Sequence, residues 1–341
     1  MINLPEDGEK EPNVQENART IAEAIRQLLS NAKDSEFSDA MKPFTTSIKP
    51  EEKANNNITK PSTDEKTVKT LQIIKTDTFL DQMFLNQNEQ ILGGIPSVSN
   101  SILVGLPSSG KSLFIAELAL RLANNGKKTI FCTSEDAWRT ESSRYDLESR
   151  FREKAKILGL NWETISQNLF VLDVISHSEL RNWDCFISTY RSIVEKEKAE
   201  ILLVDSLTQL EDARGAVKLR LLEMCRYNQN HGITAIFISQ RAIDEPDGLA
   251  FSGGLAIGYS CDIVFELDFK KAWSGDSSLK LDTGCKQGDI VYFFRILKNR
   301  LCKYKANYFA YSITPEGLIR LQDKTDLGNI EERKKRGDDL R

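Results

Sequence analysis

The chain has 341 residues, enough to bury a substantial core in one large domain or two ordinary ones. Its 46 basic and 50 acidic residues give a formal net charge of -4, which excludes an overall positive field for nucleic acid but leaves a local patch open. Two histidines and six scattered cysteines argue against a zinc site and for a reducing, cytoplasmic setting. No long apolar run or signal-peptide pattern occurs, so we expect no membrane segment.

The composition changes twice along the chain. Residues 1–68 are rich in Asn, Glu, Lys, Ser and Thr and poor in aromatics, which predicts a largely disordered polar arm. Residues 14–33 have an amphipathic helical pattern; this helix either docks on a partner or neighbouring subunit, or forms transiently or packs on its own core. We expect one ordered domain over residues 69–321 and a charged, flexible tail over residues 322–341.

A phosphate-binding motif lies at residues 105–112, which read GLPSSGKS and match G-x-x-x-x-G-K-[ST]. Residues 101–104 predict a buried strand before it, and residues 113–124 predict a helix after it. The alternative is a Gly/Ser-rich turn that ends in lysine by chance; the predicted strand and helix on either side favour the phosphate loop. Glycines allow backbone N–H groups to approach a phosphate, and a lysine neutralises its charge. The predicted nucleotide-binding residues are Gly105, Leu106, Pro107, Ser108, Ser109, Gly110, Lys111, Ser112 and Leu113.

A second apolar strand, over residues 199–204, ends in Asp205. An acid that closes a central strand near a phosphate loop is the Walker B arrangement, in which the carboxylate holds Mg²⁺ through water. The Ser112 hydroxyl and phosphate oxygens would complete the coordination of this ion. We therefore predict ATP and Mg²⁺ as cofactors.

A third strand, over residues 128–133, is followed by Glu135 and Asp136. Ligands of open α/β sheets lie at the carboxyl ends of the strands, so Glu135 is a candidate to polarise the water that attacks the γ-phosphate. Asp136 would support it or lie in the outer shell of Mg²⁺. Alternatively, the two acids only complement the dipole of a helix predicted over residues 139–159.

The remaining elements complete a predicted α/β fold with a mostly parallel central sheet flanked by helices. The strand over residues 233–239 ends at Gln240, a candidate sensor of the γ-phosphate. After it, residues 290–297 predict a strand that leads into Lys298 and Arg300, and residues 308–321 predict a C-terminal antiparallel extension.

An ordered set of motifs over about residues 70–321 resembles the RecA-like ATPases, and within them the KaiC and bacterial RadA branch. In that family a neighbouring subunit's basic residues reach the bound nucleotide, so the resemblance implies that Lys298 and Arg300 act in trans in a ring or filament. The alternative is a solvated strand end. The motifs are LGGIP at 92–96, the phosphate loop, the acid pair, VDS at 204–206, SQ at 239–240, CD at 261–262, KNR at 298–300 and ITPEGL at 313–318.

The chain departs from the family in three respects. Residues 98–100 read VSN where the family usually has glycine, so a different turn is expected there. The zinc module and protease-like domain of bacterial RadA are not found in the sequence. A second ATPase domain is also not found, which leaves a circadian function unsupported.

Three functions remain open. The first is a self-assembling ATPase that uses ATP turnover as a conformational switch for protein partners, with Glu135, Lys111, Gln240, Lys298 and Arg300 as catalytic residues. The second is a recombination or repair ATPase that binds single-stranded DNA; its loops at residues 207–217 and 241–258 hold five acids and two arginines, a poor match to a phosphate backbone. The third is a nucleotide-binding scaffold with little turnover.

Overall fold

The structure is a computed structural model that describes residues 71–141, 145–207, 217–240, 260–271 and 290–322. Some sequence predictions lie outside these residues: the disordered arm 1–68 with its helix 14–33, most of the loop 207–217, the segment 241–258 and most of the tail 322–341.

Among the described residues, α-helices lie between the strands from residue 100 to residue 240, and strands precede and follow this part. No described helix combines the length and the apolarity needed to cross a bilayer. The α-helices are α1 (Lys111–Asn124), α2 (Leu147–Ile157), α3 (Trp162–Asn168), α4 (Trp183–Glu197) and α5 (Val217–His231). The strands are β1 (Ile73–Ile74), β2 (Phe84–Leu85), β3 (Ile95–Pro96), β4 (Asn100–Gly105), β5 (Thr129–Thr133), β6 (Leu169–Asp173), β7 (Ile201–Asp205), β8 (Thr234–Gln240), β9 (Ile263–Lys271), β10 (Ile290–Asn299), β11 (Lys303–Tyr304), β12 (Phe309–Ile313) and β13 (Ile319–Leu321).

A nine-stranded sheet organises the domain, in the order β13-β12-β10-β9-β4-β8-β7-β5-β6. The strands from β9 to β6 in this order are parallel to one another. Strands β10, β12 and β13 continue the sheet in antiparallel fashion beyond β9. This arrangement confirms the predicted α/β fold with a mostly parallel core and a C-terminal antiparallel extension.

Two apolar cores cover the two faces of this sheet. Side chains alternate along β4, so Leu103 packs in one core while Ile102 and Val104 pack in the other. Helices α1, α2 and α3 complete the first core, and α4 and α5 complete the second. Burial on both faces explains why the parallel strands are continuous apolar runs in the sequence.

The helix starts distinguish α1 from its neighbours. The side chains of Asp146, Asn161 and Asn182 cap α2, α3 and α4 by accepting a backbone N–H. Helix α1 instead begins after Gly110, and no side chain of the described residues caps it. Its first N–H groups are therefore available to an anion.

The helix predicted over residues 139–159 is shorter than expected. It begins at Leu147 because the Asp146 side chain accepts the Ser149 N–H at 2.8 Å and so caps the helix there. The N–H of Trp138 is bound by Asp173 at 2.8 Å, outside any helix. The prediction of a helix from residue 139 was wrong, because side-chain capping decided its start.

Candidate nucleotide site

The phosphate loop connects the central strand β4 to helix α1. A Cβ atom at Gly105 would lie 1.7 Å from the backbone oxygen of Leu267 in the adjacent strand β9, so only glycine fits. Gly110 has a left-handed φ of 88°, and a Cβ there would meet Ile313 and Ile319 of the extension at 3.2 Å. Close packing against β9, β12 and β13 therefore holds the loop in place.

Lys111 is folded into this loop. Its Nζ donates hydrogen bonds to the carbonyl oxygens of Gly105 at 2.9 Å and Leu106 at 2.8 Å. Burial lowers the pKa of Lys111 from 10.5 to about 8, although the negative charges of Asp268, Asp205 and others oppose this change. A phosphate anion beside an ammonium group that is desolvated in this way strongly stabilises its charged form.

The two predicted metal-binding residues Ser112 and Asp205 lie together. The Ser112 hydroxyl donates to Asp205 Oδ1 at 3.3 Å, which joins the start of α1 to the end of β7. Burial, together with the nearby charges of Glu135 and Asp136, raises the pKa of Asp205 to about 6, although the Ser112 hydrogen bond opposes this change. A bound cation would offset the unfavourable free energy of keeping this buried carboxylate ionised.

The kind and number of these oxygen donors fit Mg²⁺. Magnesium prefers oxygen ligands and usually binds one or two protein groups, with water and phosphate oxygens completing the octahedron. The described residues contain no cluster of three or more His, Cys, Asp or Glu that would form an all-protein metal cage. Mg²⁺ bound together with ATP is therefore the ion that suits Ser112 and Asp205.

Glu135 reaches the same edge of the sheet from β5. Thr133 pairs with Asp205 across β5 and β7, so Glu135 lies just beyond the end of β7. The Ser206 hydroxyl donates to Glu135 Oε1 at 2.6 Å. The charge of Glu135 acts on the pKa values of both Asp205 and Lys111, so the three groups lie close to one another.

Asp136 and Gln240 also lie at this edge, in different surroundings. Asp136 is exposed and forms an ion pair with Arg150 at 2.5 Å. Gln240 is level with Gly105 in the neighbouring strand β8. Because α2 begins at Leu147, the acids at 135–136 are not in its first turn, and the helix-dipole alternative does not apply to them. The roles of Asp136 and Gln240 stay predictions.

Lys298 and Arg300 lie near the amino-terminal ends of the parallel strands, whereas the phosphate loop lies at their carboxyl ends. Lys298 pairs with Val264, which is level with Ile102 near the start of β4, and the Arg300 N–H binds the Asp262 carbonyl oxygen at 3.1 Å. Along the strand direction, Lys298 lies three residues, or about 10 Å, from the level of Gly105, and Arg300 lies about the full length of β4, or about 17 Å, from it. The Lys298 Nζ donates to the Cys261 carbonyl oxygen at 2.6 Å, on the side away from the loop. The structure does not bring these two residues to the nucleotide site of the same chain.

Two residues beside the loop were missed in the sequence. Asp268 in β9 is 1% exposed, and its charge is the strongest of those that raise the pKa of Lys111. The Tyr311 hydroxyl in β12 donates to the Ser109 carbonyl oxygen at 2.5 Å. The available signal was the pair of acids, Glu266 and Asp268, within the apolar run of residues 263–269, because buried acids require a specific partner.

The fold and this site define a RecA-like P-loop ATPase domain, in which a parallel sheet presents a phosphate loop and two acids from neighbouring strands. The sequence model of the family described as "ATPase: KaiC" matches residues 68–325. The chain therefore belongs to the KaiC ATPase family. This confirms the RecA-like and KaiC parts of the predicted resemblance, while the RadA part stays a prediction.

Two relatives and one solved structure are similar to this chain. A UPF0273 protein from Pyrococcus furiosus is 24% identical over 251 residues, which cover 70% of this chain and 91% of the relative. A UPF0273 protein from Pyrococcus horikoshii is 24% identical over 244 residues, with the same coverage. The crystal structure of a KaiC-like protein from Pyrococcus horikoshii has a TM-score of 0.54 at 18% identity, and the match covers 74% of this chain and all of that one. This last similarity shows a shared fold.

Nucleotide affinity is expected to fall as the pH rises above about 8, the pKa of Lys111. Phosphate binding favours the charged lysine, so affinity is full below this pKa and falls above it, by up to about tenfold per pH unit. Titrating a fluorescent ATP analogue between pH 7.5 and 10 measures the effect. Lys154, whose pKa burial also lowers to about 8, provides the control: Lys154→Arg should keep the inflection. A flat profile would contradict the assignment.

Proposed function

We propose that this protein binds Mg-ATP at residues 105–112, hydrolyses it, assembles with copies of itself, and uses turnover as a conformational switch for protein partners. The observation that carries this proposal is the meeting of Ser112, Asp205 and Glu135 beside the phosphate loop, from three different elements. Membership of the KaiC ATPase family supports nucleotide binding and ATPase activity.

In the proposed reaction, Lys111 and the first N–H groups of α1 hold the β- and γ-phosphates. A magnesium ion held by Ser112 and Asp205 would neutralise the phosphate charge. Glu135 takes a proton from a water molecule while the oxygen of that water attacks the γ-phosphorus. The bond between the γ-phosphorus and the oxygen that bridges the β- and γ-phosphates then breaks, which releases ADP and inorganic phosphate. Gln240 is level with Gly105 in the neighbouring strand, which supports a role for its side-chain amide as the sensor of the γ-phosphate.

The position of Lys298 and Arg300 supports their action in trans. Because these residues and their own phosphate loop lie at opposite ends of the strands, they can contact a nucleotide only in a second copy that packs its loop against these strand ends. An arginine donated across such an interface stabilises the charge of the transition state and couples hydrolysis to assembly. A repeated contact of this kind is heterologous and builds a ring or a filament.

Mixing two inactive variants is expected to restore activity. When Lys111→Ala and Arg300→Ala subunits assemble at random in equal amounts, about one quarter of the interfaces combine an intact loop with an intact arginine. We therefore expect about one quarter of the wild-type ATPase rate. A mixture of Lys111→Ala with Glu135→Gln should stay inactive, since each of its sites lacks a residue supplied in cis. No recovery at any ratio of the first pair would contradict a shared site.

The proposal is tested by measuring ATP hydrolysis together with particle mass by light scattering. We expect Mg²⁺-dependent turnover by an assembly larger than one chain, and no stimulation by single-stranded DNA at low or moderate salt. Stimulation that weakens with salt would favour the recombination function instead. Tight nucleotide binding without turnover would favour the scaffold function.

A further inference from the structure

Glu135 is an exposed side chain with one fixed end. Its Oε1 accepts the Ser206 hydroxyl proton at 2.6 Å, a short bond to an ionisable acceptor. Ser206 itself is fully buried, with 0% of its surface exposed. A buried, immobile donor therefore holds a carboxylate that would otherwise move freely in solvent.

Ser206 is in turn fixed through its backbone. The Ser134 hydroxyl oxygen accepts the Ser206 N–H at 2.9 Å and lies 2.9 Å from the Ser206 carbonyl oxygen, to which it can donate. The Ser134 N–H also donates to the Asp205 carbonyl oxygen at 2.9 Å. These bonds tie the end of β5 to the end of β7, so the Ser206 hydroxyl has a defined position.

We propose that Ser206 is the positioning residue of the catalytic glutamate. This inference rests on the proposed function, in which Glu135 is the base. By holding Oε1, Ser206 turns Oε2 toward the attacking water. Because Ser206 directly follows Asp205 in the chain, the same hydrogen bond fixes the position of Glu135 relative to the metal-binding Asp205. Preorganisation of this kind raises the rate of the chemical step without changing the binding of the substrate.

The first test compares the kinetics of serine variants. Ser206→Ala should lower kcat about tenfold while KM for ATP and the Kd of a fluorescent analogue stay unchanged. Ser206→Thr keeps the hydroxyl and should recover most of kcat; Ser206→Cys, a weaker donor, should give an intermediate rate. The matched control is Ser99→Ala, another fully buried serine, whose hydroxyl donates to the Pro96 carbonyl oxygen at 2.7 Å at the other end of β4. It should lower the unfolding temperature without changing kcat.

A double-mutant cycle separates positioning from a general structural role. If Ser206 acts through Glu135, then Ser206→Ala should have almost no further effect on single-turnover rates in a Glu135→Gln background. Additive losses, or an unchanged or increased kcat in the single Ser206→Ala variant, would overturn the inference. Failure of the proposed function has a different signature, since Glu135→Gln would then hydrolyse ATP as fast as the wild type.

Discussion

Glu135→Gln is expected to lower kcat for ATP hydrolysis by about 10²–10⁴-fold, the usual contribution of a general base. Glutamine keeps the size of the side chain and can still accept the Ser206 hydrogen bond, but it cannot take a proton from water. Mg-ATP should bind with an affinity close to that of the wild type. A steady-state ATPase assay and a titration with a fluorescent analogue measure the two quantities.

The neighbouring acid provides the control for this experiment. Asp136 is exposed and paired with Arg150, so Asp136→Asn should change kcat much less than Glu135→Gln. Equal rates for wild type and Glu135→Gln would remove this residue from catalysis. A larger effect at Asp136 than at Glu135 would exchange the two roles.

Gly105→Ala is expected both to destabilise the domain and to weaken nucleotide binding. The added Cβ would lie 1.7 Å from the Leu267 backbone oxygen, so β4 and β9 must move apart in the centre of the sheet. We expect a loss of roughly 1–3 kcal/mol in the free energy of unfolding, as for other overpacked positions. Displacing the phosphate loop by an ångström is expected to lower ATP affinity by about 100-fold.

Gly159→Ala is the matched control, since nothing lies within 4 Å of its Cβ position. It also has a positive φ, of 66°, and so reports the backbone cost of alanine alone, about 1 kcal/mol. Denaturant unfolding and nucleotide titration of both variants separate the two effects. Normal ATP affinity in Gly105→Ala would show that the close approach to Leu267 is unimportant for the loop.

Part of the site could be predicted because its signals are local. The GLPSSGKS motif between an apolar strand and a helix, and an apolar run that ends in Asp205, depend on a few consecutive residues and on the period of the side chains. The rule that ligands bind at the carboxyl ends of parallel strands then placed Glu135, Asp205 and the loop at one edge. The structure brings these residues together, and their chemical roles stay predictions.

Other features depend on residues far apart in the chain. The 1.7 Å approach of Leu267 to Gly105 and the hydrogen bond of Tyr311 to Ser109 come from strands that the sequence places more than 150 positions away. Strand order and register, which no local pattern specifies, decide such contacts. The same reason explains why the sequence did not show Asp268 beside Lys111 or the contact of Ser206 with Glu135.

The sequence by itself therefore determined the class of the fold, the phosphate loop and the two acids at the strand ends, because periodicity and motif spacing encode them locally. Only the tertiary structure decided that Lys298 and Arg300 lie at the strand ends away from the phosphate loop, since the antiparallel pairing of β10 with β9 fixes which residues of the parallel strands they are level with. It also decided which side chains hold the loop and Glu135 in place, because these contacts exist only once the sheet has assembled.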